Sequence, residues 1–287
     1  MDKYTLDTIL AGLKDGSVIP YLGAQALSGS LSVDTGEPIP ADSDSLILAM
    51  NGGRPMAPKL MYEFPRAAMN MELKKGRSFV TRFLNKTYAE TAWTRAPLHD
   101  WLATLKPACV VDINRDLQLQ ESYAGTVHNL MVGIARIGGT DFRYKLYHYD
   151  GSSYTEISNE QADPALPLLI KPMGTPKPEA SYIASDADYV DYLTELMGGF
   201  GVPAFFKEYR KEKQYLLLGL RLLRDTERMV LSDLTYGRGV EGGWALIPAP
   251  TAKEIRFCSK LGIEVIDADI NEFLGACGVD VPQTAEV

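Results

Sequence analysis

The chain opens with Leu6, Ile9, Leu10 and Leu13 at helical spacing, and Gly16 follows as a C-cap, which predicts a helix over residues 4–14. The run Val18-Ile19-Pro20-Tyr21-Leu22 is short, apolar and closed by Gly23, as expected of a buried strand opening onto a glycine turn. Residues 29–58 are rich in Ser, Asp, Gly and Pro and read as loop, with one short helix around residues 45–50. Two amphipathic helices are expected at 57–73 and 78–88, broken at Lys74-Lys75-Gly76, and another at Pro97–Leu105 ahead of Pro107. Ala108-Cys109-Val110-Val111 predicts a second buried strand, and Val127, Leu130, Met131 and Ile134 suggest an apolar helix carrying His128. Residues 142–157 alternate as a hairpin does, with Asp150-Gly151 at the turn. Further strands are expected at 166–170, 215–219, 244–247 and 263–266, and helices at 185–197 and 251–261. In the first of these helices Ser185 is the N-cap and Asp188 holds the acidic position of a capping box.

Short apolar strands alternating with helices indicate a mainly parallel sheet covered on both faces. We therefore expect an α/β, Rossmann-like, doubly wound fold in a single domain spanning 1–287. A helical insertion at about 40–95 and a hairpin insertion at about 140–160 interrupt the alternation.

Composition narrows the function classes. Of 287 residues, 46% are hydrophobic and 23% charged, ordinary for a folded soluble protein. Lys and Arg number 29 against 37 Asp and Glu, a net charge of −8 that argues against nucleic acid as a partner. The densest basic stretch, residues 207–213, is interleaved with Glu208 and Glu212 and reads as a solvated helix face. Cys109, Cys258 and Cys277 lie far apart, which fits a reducing compartment rather than a disulfide framework or a zinc ribbon. No apolar run reaches the ~18 residues a membrane span needs, and the first residues lack a signal-peptide pattern, so the expected location is cytoplasmic. HExxH, CxxC, EF-hand, P-loop and G-x-S-x-G patterns are all missing, so no metal is expected.

In an open α/β sheet, ligands bind beyond the carboxyl ends of the strands. The loops at those ends read Gly23-Ala24-Gln25, then Asp112-Ile113-Asn114-Arg115-Asp116, then Lys171-Pro172-Met173-Gly174, then Gly219-Leu220-Arg221-Leu222-Leu223-Arg224-Asp225. Taken in order, these resemble the SIR2-like family, the sirtuin-related NAD-binding proteins of bacteria. The family's first strand ends in G-A-G, its second in T-T-N-Y-D, its third in K-L-H-G and its fourth in G-Y-S-L-x-D. The helix at Pro97–Leu105 is similar to the family's P-x-H-x-x-L-A-x-L, and Asp188-Tyr189 to a D-Y pair after the third motif. The resemblance runs from about residue 15 to 275.

It implies Gly23, Ala24, Gln25, Asn114, Asp116 and Gly219 as binding residues for NAD or ADP-ribose, and Asn114 as the candidate catalytic residue. The departures weigh more. The histidine of K-L-H-G, the family's general base, is Met173 here, and a thioether has no proton to exchange. Gln25 stands where the second glycine admits a pyrophosphate, and Asp112 adds a negative charge that Arg115 partly offsets. The four-cysteine zinc module of sirtuin deacetylases is missing.

Each singled-out residue also has a plainer reading. Asn114 can be an Asx-turn residue and Asp116 a helix N-terminal carboxylate, while Gly23 can serve backbone geometry alone. His99 matches a family position that looks structural, and is the first place to seek a substitute base. Tyr144, Tyr147, Tyr149 and Tyr154 cluster in the hairpin with His148, as a partner surface or, more plainly, a cross-strand packing ladder. The expected function is a degenerate SIR2-like protein, catalytically impaired, serving as a nucleotide-binding or assembly subunit with a protein partner or further copies of itself. The alternative is an active NAD glycohydrolase of bacterial antiphage defence.

Overall fold

A computed structural model describes residues 1–138, 142–196, 201–237, 239 and 242–280. Its strands are β1 (Val18–Leu22), β2 (Cys109–Asp112), β3 (His128–Gly133), β4 (Tyr144–Tyr149), β5 (Tyr154–Ile157), β6 (Leu168–Lys171), β7 (Gly174–Thr175), β8 (Ser181–Tyr182), β9 (Gln214–Leu218), β10 (Gly243–Leu246) and β11 (Glu264–Ile266). Nine of them form one sheet in the order β11-β10-β9-β1-β2-β6-β3-β4-β5. From β11 to β3 every pairing is parallel, and β4 and β5 extend the sheet antiparallel. This is the expected Rossmann-like doubly wound arrangement.

Both faces of the central strands are buried, so apolar side chains alternate between two cores rather than between core and water. Ile19, Tyr21, Val111, Ile170, Tyr215 and Leu217 face one layer, and Val18, Leu22, Val110, Leu169, Leu216 and Leu218 the other. The helices are α1 (Lys3–Asp15), α2 (Ser43–Met50), α3 (Phe64–Lys75), α4 (Arg77–Asn85), α5 (Pro97–Leu105), α6 (Gln118–Ser122), α7 (Asp186–Leu196), α8 (Ala204–Tyr209), α9 (Asp225–Thr235), α10 (Ala252–Lys260) and α11 (Ile270–Ala276). Helices α7 to α10 cover the first face, and α1, α5, α6 and α11 the second. A third apolar cluster, with Ile47, Phe64, Ala68 and Leu84, sits among α2, α3 and α4.

Local chemistry explains most boundaries. Asp2 caps α1 by accepting from the Thr5 amide, and Gly16 ends it in the left-handed region at φ 78°. Thr251 and Glu254 form a reciprocal capping box at α10. At α7, Asp188 reaches back to accept from the Ala184 and Ser185 amides, as its capping-box position implies.

Three expectations need correction. Residues 128–133 form a central strand, not a helix: all six are buried, because β3 lies between β6 and β4 with both faces covered. Apolar residues needed on both faces of such a strand mimic helical spacing. The second correction is in the insertion, where the helix begins at Phe64 rather than 57, with proline in its first turn. The third is in the basic stretch, where Arg210 is no solvated residue: it is 3% exposed and donates to the carbonyls of Asp233 and Leu234. The C-terminal end of the predicted helix 185–197 falls outside the described residues.

The hairpin tyrosines divide between the two faces. Tyr144 packs against Tyr192 in one core, while Tyr149 and Tyr154 flank the His128 ring on the other. His128 Nε2 lies 2.8 Å from the Tyr154 hydroxyl. This is the packing-ladder arrangement, with side chains spent on one another.

Candidate functional site

The strand order reverses between β1 and β9, since the chain leaves β1 toward β2 and returns on its other side at β9. At that point two glycines meet. A Cβ on Gly23 would lie 2.5 Å from the Gly219 carbonyl oxygen, and one on Gly219, at φ 74°, would lie 2.8 Å from the Ala26 nitrogen. Both positions therefore require glycine for packing of the two strand ends alone. The amides of Gly23, Gln25 and Ala26 donate to the carbonyls of Leu218, Gly219 and Gly23. These three are consumed inside the turn, so a phosphate could not take them without breaking it.

Over this junction opens a cleft of ≈ 660 Å³. Ala24, Gln25, Asn114, Met173 and Gly219 line it, together with Arg115, Tyr189, Arg224, Glu63 and Glu227. The four loops singled out in the sequence thus contribute to one cavity. Gly23 and Asp116 are not on its wall: Gly23 supports it from below through its carbonyl, and Asp116 is 2% exposed.

Asn114 is fixed by its donors. Its Nδ2 lies 2.8 Å from both the Gly23 carbonyl oxygen and Asp112 Oδ1, and its backbone amide donates to the same Asp112 oxygen at 2.9 Å. The amide side chain ties the second strand end to the first and leaves its oxygen as the group with acceptor capacity. The Asx-turn at this strand end is made by Asp112, whose carboxylate accepts from the amide two residues on, while Asn114 is a strand-end brace with a cleft-lining position.

The charge of Asp112 does not reach the cleft. Its Oδ2 accepts from Lys171 Nζ at 2.7 Å, with both side chains fully buried. Lys171 also lies 3.9 Å from Asp116, whose Oδ1 accepts from the Gln118 amide. Arg115 is therefore not needed as the counter-charge: its guanidinium donates to the Ile183 carbonyl at 2.6 and 3.1 Å and stacks over Phe64. His99 completes the buried group, its ligand atoms and those of Asp112 and Asp116 all within 4.8 Å of one another. Neither ring nitrogen of His99 has a hydrogen-bond partner, and burial pushes its pKa below the usual imidazole range. This trio has metal-ligand chemistry, but the Lys171 ammonium is already the cation its carboxylates hold. His99 lies at this buried cluster and is not among the cleft-lining residues.

Met173, which the resemblance sets against a histidine base, is 3% exposed and accepts a hydrogen bond from the Tyr189 hydroxyl at 2.9 Å. The carboxylates at the cleft come from segments outside the four motifs. Glu63 precedes α3 and accepts from the Thr226 hydroxyl. Glu227, in the first turn of α9, takes a hydrogen bond from the Arg224 backbone, while its Oε2 is shielded from water without a partner. Burial first, and the nearby Glu63 charge second, push Glu227 up to about 8. Arg221 is committed to Glu254 and the Pro248 carbonyl, whereas Arg224 stacks over Tyr62 at 4.2 Å. Sequence reasoning passed over Glu63 and Glu227. The available signal was the acidic first turn of α9, with Asp225 closing the fourth motif and Glu227 two residues beyond it.

No protein-family model and no curated protein matches the chain. Among the described residues, no helix is long and apolar enough to cross a membrane.

Proposed function

We propose that this chain is a SIR2-like protein of impaired catalysis whose cleft takes NAD or ADP-ribose without turning it over, serving as a nucleotide-binding or interaction subunit. One observation carries the reading: the loops after β1, β2, β6 and β9 all line a single cleft at the reversal of strand order, the usual ligand position of such sheets. The cleft's size suits a nucleotide, and Asn114, Gln25, Arg115 and Arg224 offer polar contacts around it. Impaired catalysis rests on Met173, buried against Tyr189 where a base is required. Because the Gly23, Gln25 and Ala26 amides are consumed within the turn, phosphate recognition falls to side chains.

Calorimetric titration with NAD and with ADP-ribose, followed by mass-spectrometric analysis for released nicotinamide, tests the reading. Binding without nicotinamide is expected. Turnover would favour the active NAD glycohydrolase instead, and lack of binding would leave a scaffold without a nucleotide.

A further inference from the structure

The cleft holds a second chemistry that the four motifs do not supply. We propose that Glu227 is a neutral carboxylic acid that serves the cleft as a hydrogen-bond donor, recognising an uncharged oxygen acceptor, a hydroxyl or carbonyl, on the bound molecule. The ligand part of this inference rests on the nucleotide reading above; the state of the acid does not.

Three features of the geometry support it. Glu227 lines the cleft, yet its Oε2 is shielded and unpartnered, which is costly for an oxygen sharing a carboxylate charge and less so for the carbonyl oxygen of a neutral acid whose proton sits on Oε1. Glu63, which lines the same cleft and whose charge acts on Glu227, is already engaged as an acceptor from Thr226, so two ionised carboxyls would repel each other there. The cations nearby do not remove this conflict. Arg228 is tied to Asp225 and the Leu222 carbonyl, and Arg224 is stacked on Tyr62. The other titratable groups facing Glu227 are the phenols of Tyr21 and Tyr189, both held protonated by burial. The shift of Glu227 to about 8 agrees with this arrangement.

Neutrality has a consequence for ligands. A cleft that also carries Glu63, Asp42 and Asp44 would repel a pyrophosphate more strongly if Glu227 were ionised. With Glu227 protonated, one charge is removed and one donor gained. No covalent bond is made or broken in this step: the proton stays on Glu227 and is shared with the ligand oxygen.

The test follows the carboxyl carbon of Glu227 by NMR in the full chain labelled with 13C-glutamate, its signal assigned by its loss in Glu227→Gln. In the free protein the signal is expected to titrate near pH 8, with Glu63→Gln lowering the midpoint. Saturating ADP-ribose should raise it by about one unit, which corresponds to a tenfold preference for the protonated form. A midpoint in the ordinary carboxylate range, or one that bound ADP-ribose leaves unmoved, would overturn the proposal. If ADP-ribose fails to bind anywhere between pH 6 and 9 while the midpoint stays near 8, the neutral acid stands and the nucleotide reading alone falls.

Discussion

Two groups of charged residues lie near the carboxyl ends of the same sheet and are built on opposite terms. In the buried group, Asp112 and Asp116 share the Lys171 ammonium, at 2.7 and 3.9 Å, with no access to water. In the cleft, the Glu63 charge acts on Glu227, whose Oε2 has no partner, and Glu227 relieves the conflict by keeping its proton. A buried carboxylate is tolerated when a cation compensates it, and otherwise stays neutral. The first solution produces a rigid brace between β2 and β6. The second leaves an exchangeable proton beside a cavity. Resemblance pointed to Asp116 as a residue of the ligand site and to Asp112 as an added charge beside it, whereas the open chemistry lies in side chains of α9 and the start of α3.

The comparison is broken most severely at the brace. Lys171→Met should cost about 3–5 kcal/mol, since it strands the Asp112 carboxylate in the interior. Urea unfolding measures this, and adding Asp112→Asn should recover part of the loss. A cost below about 1 kcal/mol would mean that the pair is solvated. Next comes Gly219→Ala, which forces a side chain into the left-handed region and against the Ala26 nitrogen. The conformation alone costs about 1–3 kcal/mol, to be seen as a lower midpoint of thermal unfolding.

The cleft gives a change of opposite sign. Glu227 has a folded pKa raised to about 8 from an ordinary value of 4.5, so the folded state retains a proton that the unfolded chain releases between those limits. Stability from this group is therefore full below pH 4.5, falls as pH rises, and is lost above 8. Glu227→Gln should match the parent protein at pH 4.5 and exceed it by about 2 kcal/mol at pH 8.5, after allowance for partial solvation. An advantage independent of pH would contradict the assignment. The smallest effect is expected from Met173→Leu, below about 1.5 kcal/mol by chemical denaturation, because volume is conserved and only the weak contact with the Tyr189 hydroxyl is lost.

The fold was legible because burial on both faces leaves short apolar runs, and β1, β2, β6, β9 and β10 could be read directly from them. The same burial concealed β3: Leu130, Met131 and Val132 fill both cores, and with Ile134 they imitate a helical stripe. Helix α11 carries a full Asp269–Glu272 capping box that the reading did not use. Of the site, the strand-end loops were visible because chain order and sheet topology place ligands there. Which side chains face the cavity was not, since this depends on distant pairing. Lys171 and Asp112 are separated by 59 residues, and Thr226 and Glu63 by 163. No local pattern reports such partnerships.

The proposed function is a nucleotide cleft that lacks a general base, and calorimetry of the unmodified chain with ADP-ribose and NAD at pH 7, paired with detection of nicotinamide, decides it. The proposed function predicts one site for each ligand and no nicotinamide release. Release of nicotinamide at a rate proportional to protein concentration, or no binding of either ligand, would contradict it.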